Sequence, residues 1–161
     1  MNILLTNDDG YESVGLMLLC EKLSQMGHDT YVVAPDGQRS AFSHSVNLYK
    51  DLTITKLDEY CGAKFAYKCS GTPADCVKFA VCQLGVKFDA LISGPNNGEN
   101  YGFAVVYSGT VAGAEEGVMQ GIKSIALSRK GWYPDGGSFS ATVEYLADNL
   151  ADLISLCGET T

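Results

Sequence analysis

Asn2-Ile3-Leu4-Leu5-Thr6-Asn7-Asp8-Asp9-Gly10 opens with a short apolar run that stops at a polar, acidic turn. Such a run reads as a buried strand, and Asn, Asp and Gly in succession read as the turn that ends it. Val14 to Met26 then sets Leu16, Leu19, Leu23 and Met26 at helical spacing, with Gly27 as the stop. Thr30 to Ala34 (TYVVA) is a second buried strand, closed by Pro35-Asp36-Gly37. Strand, helix and strand joined by short links form a βαβ unit with a right-handed crossover.

The rest of the chain continues the alternation. Gly37 to Ser45 is polar and Ser-rich, a loop, and Val46 to Thr55 and Lys64 to Cys69 alternate apolar and polar residues as a β excursion would. Thr72 and Pro73 are an N-cap and first-turn pair for a helix carrying Val77, Ala80, Val81 and Leu84 on one face. Phe88 to Ile92 is another buried strand, ending at Ser93-Gly94. A Gly-, Asn- and Tyr-rich segment runs from Gly94 to Thr110; loops of this length are usually functional. Helix over Thr110 to Met119, strand over Lys123 to Ser128 and helix over Ser138 to Cys157 complete the chain. With no repeat or linker, the expectation is one α/β domain over residues 1–161: a doubly wound, mostly parallel sheet with helices on both faces.

Composition narrows the function. The 161 residues are 46% apolar, enough for a core without disulfide or metal staples, and the net charge of −8 excludes a basic surface for nucleic-acid polymers. Phosphorylated small molecules stay open if a divalent cation inverts the local field. The six cysteines form no CxxC pair and read as buried, reduced thiols. The first strand begins at once, so no signal peptide is expected, and no apolar run approaches the ~20 residues of a membrane span. The expected location is the cytoplasm, with no membrane partner.

Ligands of open α/β sheets bind at the carboxyl ends of strands, near the point where strand order reverses. Three polar clusters fall there: Asn7-Asp8-Asp9-Gly10; Ser40, Ser43, His44 and Ser45; and Asn96, Asn97 and Asn100. Adjacent carboxylates repel, and a hard divalent cation with oxygen ligands offsets that repulsion. A plain helix cap and turn is the competing reading of Asp-Asp-Gly. Tyr107-Ser108-Gly109-Thr110-Val111-Ala112-Gly113 places small residues before a helix, where free N–H groups and hydroxyls can close around a phosphate or simply cap. Neither a P-loop nor GxGxxG follows the first strand, which disfavours a nicotinamide-dependent oxidoreductase. His28 reads as solvated; His44 is open to a substrate or proton role, and a Ser40–His44–Asp triad lacks a nucleophile elbow. Trp132 and Tyr133, before Pro134-Asp135-Gly136-Gly137, suggest an aromatic lip or surface packing.

These stretches resemble the SurE family of survival-protein nucleotidases. The resemblance is carried, in family order, by ILLTNDDG (Ile3 to Gly10), VVAPDGQRS (Val32 to Ser40), GTPADCV (Gly71 to Val77), ISGPNNGENYG (Ile92 to Gly102) and YSGTVAGAEEG (Tyr107 to Gly117). It implies hydrolysis of nucleoside 5′- and 3′-monophosphates with Mg²⁺ or Mn²⁺. It implies Asp8, Asp9, Ser40 and Asn96 as metal ligands, the two aspartates also being catalytic, and Asn100, Ser108, Gly109 and Thr110 as the phosphate cradle. Pro95 stands where the family has an aliphatic residue, Ala41 where it has glycine, and Glu12-Ser13-Val14-Gly15 where it has an Ala-Pro-Gly approach. The chain ends at Thr161, near where the family continues into a segment exchanged between subunits; a shortened form is expected, with homodimerisation left open. Attack by water is favoured over an aspartyl nucleophile, since both carboxylates are needed on the metal. A non-catalytic nucleotide- or phosphate-binding module is the alternative function.

Overall fold

Ile3, Leu4 and Leu5 have no exposed surface, as a strand of parallel sheet covered on both faces requires. The computed structural model describes residues 1–133 and 137–158. Its strands are β1 (Asn2–Thr6), β2 (Asp29–Pro35), β3 (Ile54–Leu57), β4 (Phe65–Cys69), β5 (Ala90–Asn96) and β6 (Ser124–Ser128). The helices are α1 (Val14–Gln25), α2 (Pro73–Gln83), the single turn α3 (Ala104–Tyr107), α4 (Gly109–Met119) and α5 (Ser140–Leu156). The six strands lie in the order β3-β4-β2-β1-β5-β6. All neighbours are parallel except β3, which pairs antiparallel with β4. From β1 the chain winds outward to β2 and beyond, then returns to β5 on the other side of β1. Strand order therefore reverses between β1 and β5.

Side chains alternate across β1, and so do the two cores. Ile3 and Leu5 join Leu16, Leu19 and Leu23 of α1 and Val143, Leu146 and Leu150 of α5 on one face. Leu4 joins Tyr31, Val33, Leu91 and the Cys76, Val77 and Ala80 stripe of α2 on the other. Helix α4 packs beside α2 and over β5 and β6. The doubly wound α/β reading is thereby met.

The β excursion is shorter than its alternation suggests. Only Ile54–Leu57 pairs, with Ile54 opposite Cys69 and Leu57 opposite Ala66. Upstream, the backbone spends its polar groups on α2 instead of on a ladder. Thr72 Oγ1 donates to Ser45 O (2.7 Å), while Asn47 N and Nδ2 donate to the Asp75 carboxylate (2.9 and 2.6 Å). Asp75 also accepts from Thr72 N and completes the capping box whose other half is Asp75 N on Thr72 Oγ1. Strand β5 runs on to Asn96, past the expected stop at Ser93-Gly94, and α5 starts at Ser140 rather than Ser138. All six cysteines are free; Cys20, Cys69 and Cys76 are buried, Cys61 and Cys157 half-buried, and Cys82 is exposed, against the buried reading. No helix among the described residues is long and apolar enough to cross a membrane.

Thr72 thus caps α2 and anchors the loop ahead of β3. Thr72→Ala is expected to cost about 1–2 kcal/mol, at the upper end of cap losses; a urea midpoint indistinguishable from that of the parent would contradict this.

Candidate active site

At the carboxyl end of β1, Asn7 turns inward and organises the turn that follows. Its side chain accepts from Gly10 N (3.2 Å) and donates to Gly10 O (3.0 Å) and to Ser13 Oγ (2.6 Å), the N-cap of α1. Asp8 and Asp9 are left to face the sheet edge. Asp8 is only 4% exposed. Thr110 Oγ1 donates to its Oδ1 at 2.6 Å, and its backbone oxygen accepts from Arg39 N at 2.7 Å. Residue 109 must be glycine for α4 to begin this close: a Cβ there would lie 2.8 Å from Asp8 Cβ and 3.2 Å from Arg39 O. Asp9 is half-buried and accepts from Asn97 N at 3.2 Å.

The third contribution comes from β5, whose register with β6 slips between Ser93 and Asn96 and re-aims the strand's end. Asn96 donates its amide nitrogen to Gly98 O (3.0 Å), and its amide oxygen is the atom that could ligate a cation. Asn97 is committed at both ends of its side chain. Its Oδ1 accepts from Arg129 Nη2 and from Tyr133 N (3.3 Å), and its Nδ2 donates to Tyr133 O (2.9 Å).

Asp8, Asp9, Ser40, Asn96, Asn100 and Ser108 line one cavity of about 300 Å³, together with Gln38, Ala41, Asn97, Ala104, Tyr107 and Trp132. Six of the eight residues singled out from the sequence therefore line one cavity. The other two, Gly109 and Thr110, stand behind Asp8: the glycine admits its side chain and the threonine hydroxyl orients it. Ser108 caps α4, its Oγ accepting from Val111 N (3.1 Å), and Asn100 donates to Ser128 Oγ (2.8 Å). The Ser40 loop is held over the site by left-handed turns at Ala41 and Ser43 and by Ser43 N donating to Tyr107 O (3.1 Å).

His44 does not belong to this cavity. Its Nδ1 faces Glu115 Oε2 at 3.3 Å and its Nε2 faces Glu116 Oε2 at 2.9 Å, so no Ser40–His44–Asp triad forms. Burial opposes charge on Glu116, but hydrogen bonds from Gln120 and His44 and the Lys78 ammonium outweigh it and hold its pKa below the ordinary value. Trp132 lines the cavity, whereas Tyr133 packs over the Arg129 guanidinium, 4.5 Å from ring centroid to Cζ. Pro134-Asp135-Gly136, the far side of the expected lip, lies outside the described residues.

Sequence reasoning passed over Arg129. It is buried, 6% exposed, just beyond the end of β6. An arginine directly after a parallel strand, with Tyr133 and Phe139 close behind, was the available signal.

A sequence model of the family described as "Survival protein SurE" matches residues 3–159. The chain belongs to the SurE family. Its relatives include a protein named 5'-nucleotidase SurE from Desulfitobacterium hafniense (strain DSM 10664 / DCB-2), 51% identical over 131 residues, which cover 80% of this chain and 51% of that protein. Another of the same name, from Crocosphaera subtropica, is 43% identical over 130 residues, covering 80% and 47%. The crystal structure of the SurE protein from Aquifex aeolicus superposes with a TM-score of 0.84 at 36% identity, over 97% of this chain and 61% of that one. This SurE chain spans about half the length of the curated relatives it matches.

Electrostatics sets the character of the SurE site. Burial raises the pKa of Asp8 most, with the Asp9 charge adding to it and the Thr110 hydrogen bond opposing. Burial likewise raises Asp9, against the Asn97 N–H and the Arg129 charge. The folded state therefore holds these protons more tightly than the unfolded chain does. The stability this contributes is full below the ordinary carboxylate pKa and is lost as pH rises through the raised values. In EDTA-treated protein, Asp8→Asn should raise the neutral-pH Tm, by about 2–4 °C for each kcal/mol relieved. The gain should vanish in acid, where Asp8 is itself neutral; an equal gain at both pH values would show that charge is not the cause. Gly109→Ala should push α4 off Asp8 and cost about 1–3 kcal/mol by overpacking, read as a lower urea midpoint.

Proposed function

We propose that the chain is a metal-dependent phosphomonoesterase that hydrolyses nucleoside 5′- and 3′-monophosphates. One observation carries the reading: the cavity wall holds two carboxylates and no Lys, Arg or His among its described lining residues. Alone, such a wall repels a phosphate monoester, and a divalent cation on the carboxylates makes it attractive. Asp8, Asp9, Ser40 and Asn96 bring oxygen donors to one cavity, a hard-cation set that fits Mg²⁺ or Mn²⁺. Among the described residues no cluster of three or more His, Cys, Asp or Glu side chains competes as a metal site. The relatives' name, 5'-nucleotidase SurE, supports the same substrate class.

Bound there, the ion would supply positive charge to the phosphoryl oxygens and acidify water. The chain's own residues supply position. Thr110 fixes Asp8, and Asn97 N fixes Asp9, so both carboxylates are held as ligands, which favours water as the nucleophile. Ser108, the N-cap of α4, lines the cavity and brings that helix N-terminus to it, where negative charge on the phosphoryl oxygens would be stabilised. Ser108 and Asn100, on the cavity wall, complete the phosphate contacts. We place the protein in the cytoplasm, where six free thiols are at home.

The expected result is release of inorganic phosphate from 5′-AMP and 3′-AMP with Mn²⁺, abolished by EDTA. Asp8→Asn and Asp9→Asn should each lower turnover by more than the roughly 10–100-fold that partners of metal ligands cost. Nucleotide binding with Mn²⁺ but no turnover would make the protein a binding module instead.

A further inference from the structure

We propose that Arg129 is a positioning residue that locks the Asn96–Asn97 turn beside Asp9 and the Trp132 segment above it into one unit. Five contacts carry this. Arg129 N donates to Asn96 O (3.1 Å), and Nη2 donates to Asn97 Oδ1. Nη1 donates to Ser138 O (2.9 Å). The guanidinium lies over two aromatic rings, 4.5 Å from the Tyr133 centroid and 4.3 Å from that of Phe139. A planar fork stacked on rings and bonded at both ends is held in orientation as a flexible ammonium is not.

That orientation passes directly to the site. Asn97 gives its backbone N–H to Asp9 Oδ2 (3.2 Å) while its side chain bonds both the N–H and the carbonyl of Tyr133 (3.3 and 2.9 Å). One asparagine thus fastens a cavity carboxylate to the residue that follows Trp132. Trp132 lines the same cavity and is the chain's sole tryptophan, so its emission reports on this segment alone. Among the described residues Arg129 Nε is buried without a hydrogen-bond partner, a desolvation cost tolerated in a group whose other contacts fix it in place.

The metal half of this inference rests on the reading of the site as a divalent-cation site; the Trp132 half does not. The test uses the full chain, with Mn²⁺ titrated by calorimetry and Trp132 emission and acrylamide quenching recorded with and without the ion. Arg129→Met should weaken Mn²⁺ binding by about 10–100-fold, the range for partners that orient metal ligands, and make Trp132 more accessible to acrylamide. Arg129→Lys should fail to restore either property. Asn97→Ala, at a half-buried position, should reproduce both effects, and the double variant should be no worse than the more affected single one, since both cut one link. If Arg129→Met does not fold, Asn97→Ala reads the link by itself. Unchanged quenching in Asn97→Ala, rescue by lysine, or additive losses in the double variant would overturn the proposal. Absence of Mn²⁺ binding by the parent protein, with Trp132 still loosened in the variants, would sink the metal site and leave the positioning role standing.

Discussion

Two carboxylates side by side at the end of a buried strand lose hydration and repel each other, and the sheet edge is arranged around that cost. Asp8 is almost wholly enclosed, so its charge depends on what the protein brings to it. A threonine hydroxyl arrives from α4, a backbone amide from Arg39 braces its carbonyl, and a glycine at the start of α4 lets the helix come near enough for both. Asp9 is met by the N–H of Asn97 from β5. Three separate parts of the chain converge because two anions at the strand reversal need partners. The partners offset part of the cost, and both carboxylates still carry raised pKa values.

Fold and site were legible where local rules and tertiary structure agree. NILLT and TYVVA had to be buried strands, because no pleated strand can hide an unbroken apolar run against one layer alone. Thr72-Pro73 had to open a helix, and its capping box is present. The segment from Val46 misled because alternation measures a preference for a half-buried face, while Asp75 and Thr72 offered its polar groups better bonds than a ladder. Side-chain roles were harder. Thr110 reads as a phosphate contact by motif, yet its hydroxyl is on Asp8 at 2.6 Å. Spacing alone says nothing of how differently Asn96 and Asn97 are engaged; the Asn97 amide oxygen is taken up by the fork of Arg129, distant in sequence. Contacts over such separations leave no periodic trace.

The location of the arginine bears on a wall that holds two carboxylates and, among its described lining residues, no cationic side chain. A guanidinium inside the cavity would lie on Asp8 and Asp9 as an internal ion pair, its planar fork well matched to carboxylate oxygens. It would satisfy the anions permanently and exclude any ion from the position between them. Behind Asn97 the same charge still lowers the Asp9 pKa against the effect of burial, but it acts through an amide and leaves the carboxylate's open side to the cavity. The Asn97 side chain is the spacer that makes this possible: it accepts from the guanidinium, while its backbone N–H, not the cation, meets the acid. Distance tunes the carboxylate and contact is withheld from it. On the reading proposed above, a site that exchanges its cation and admits an anionic substrate requires both.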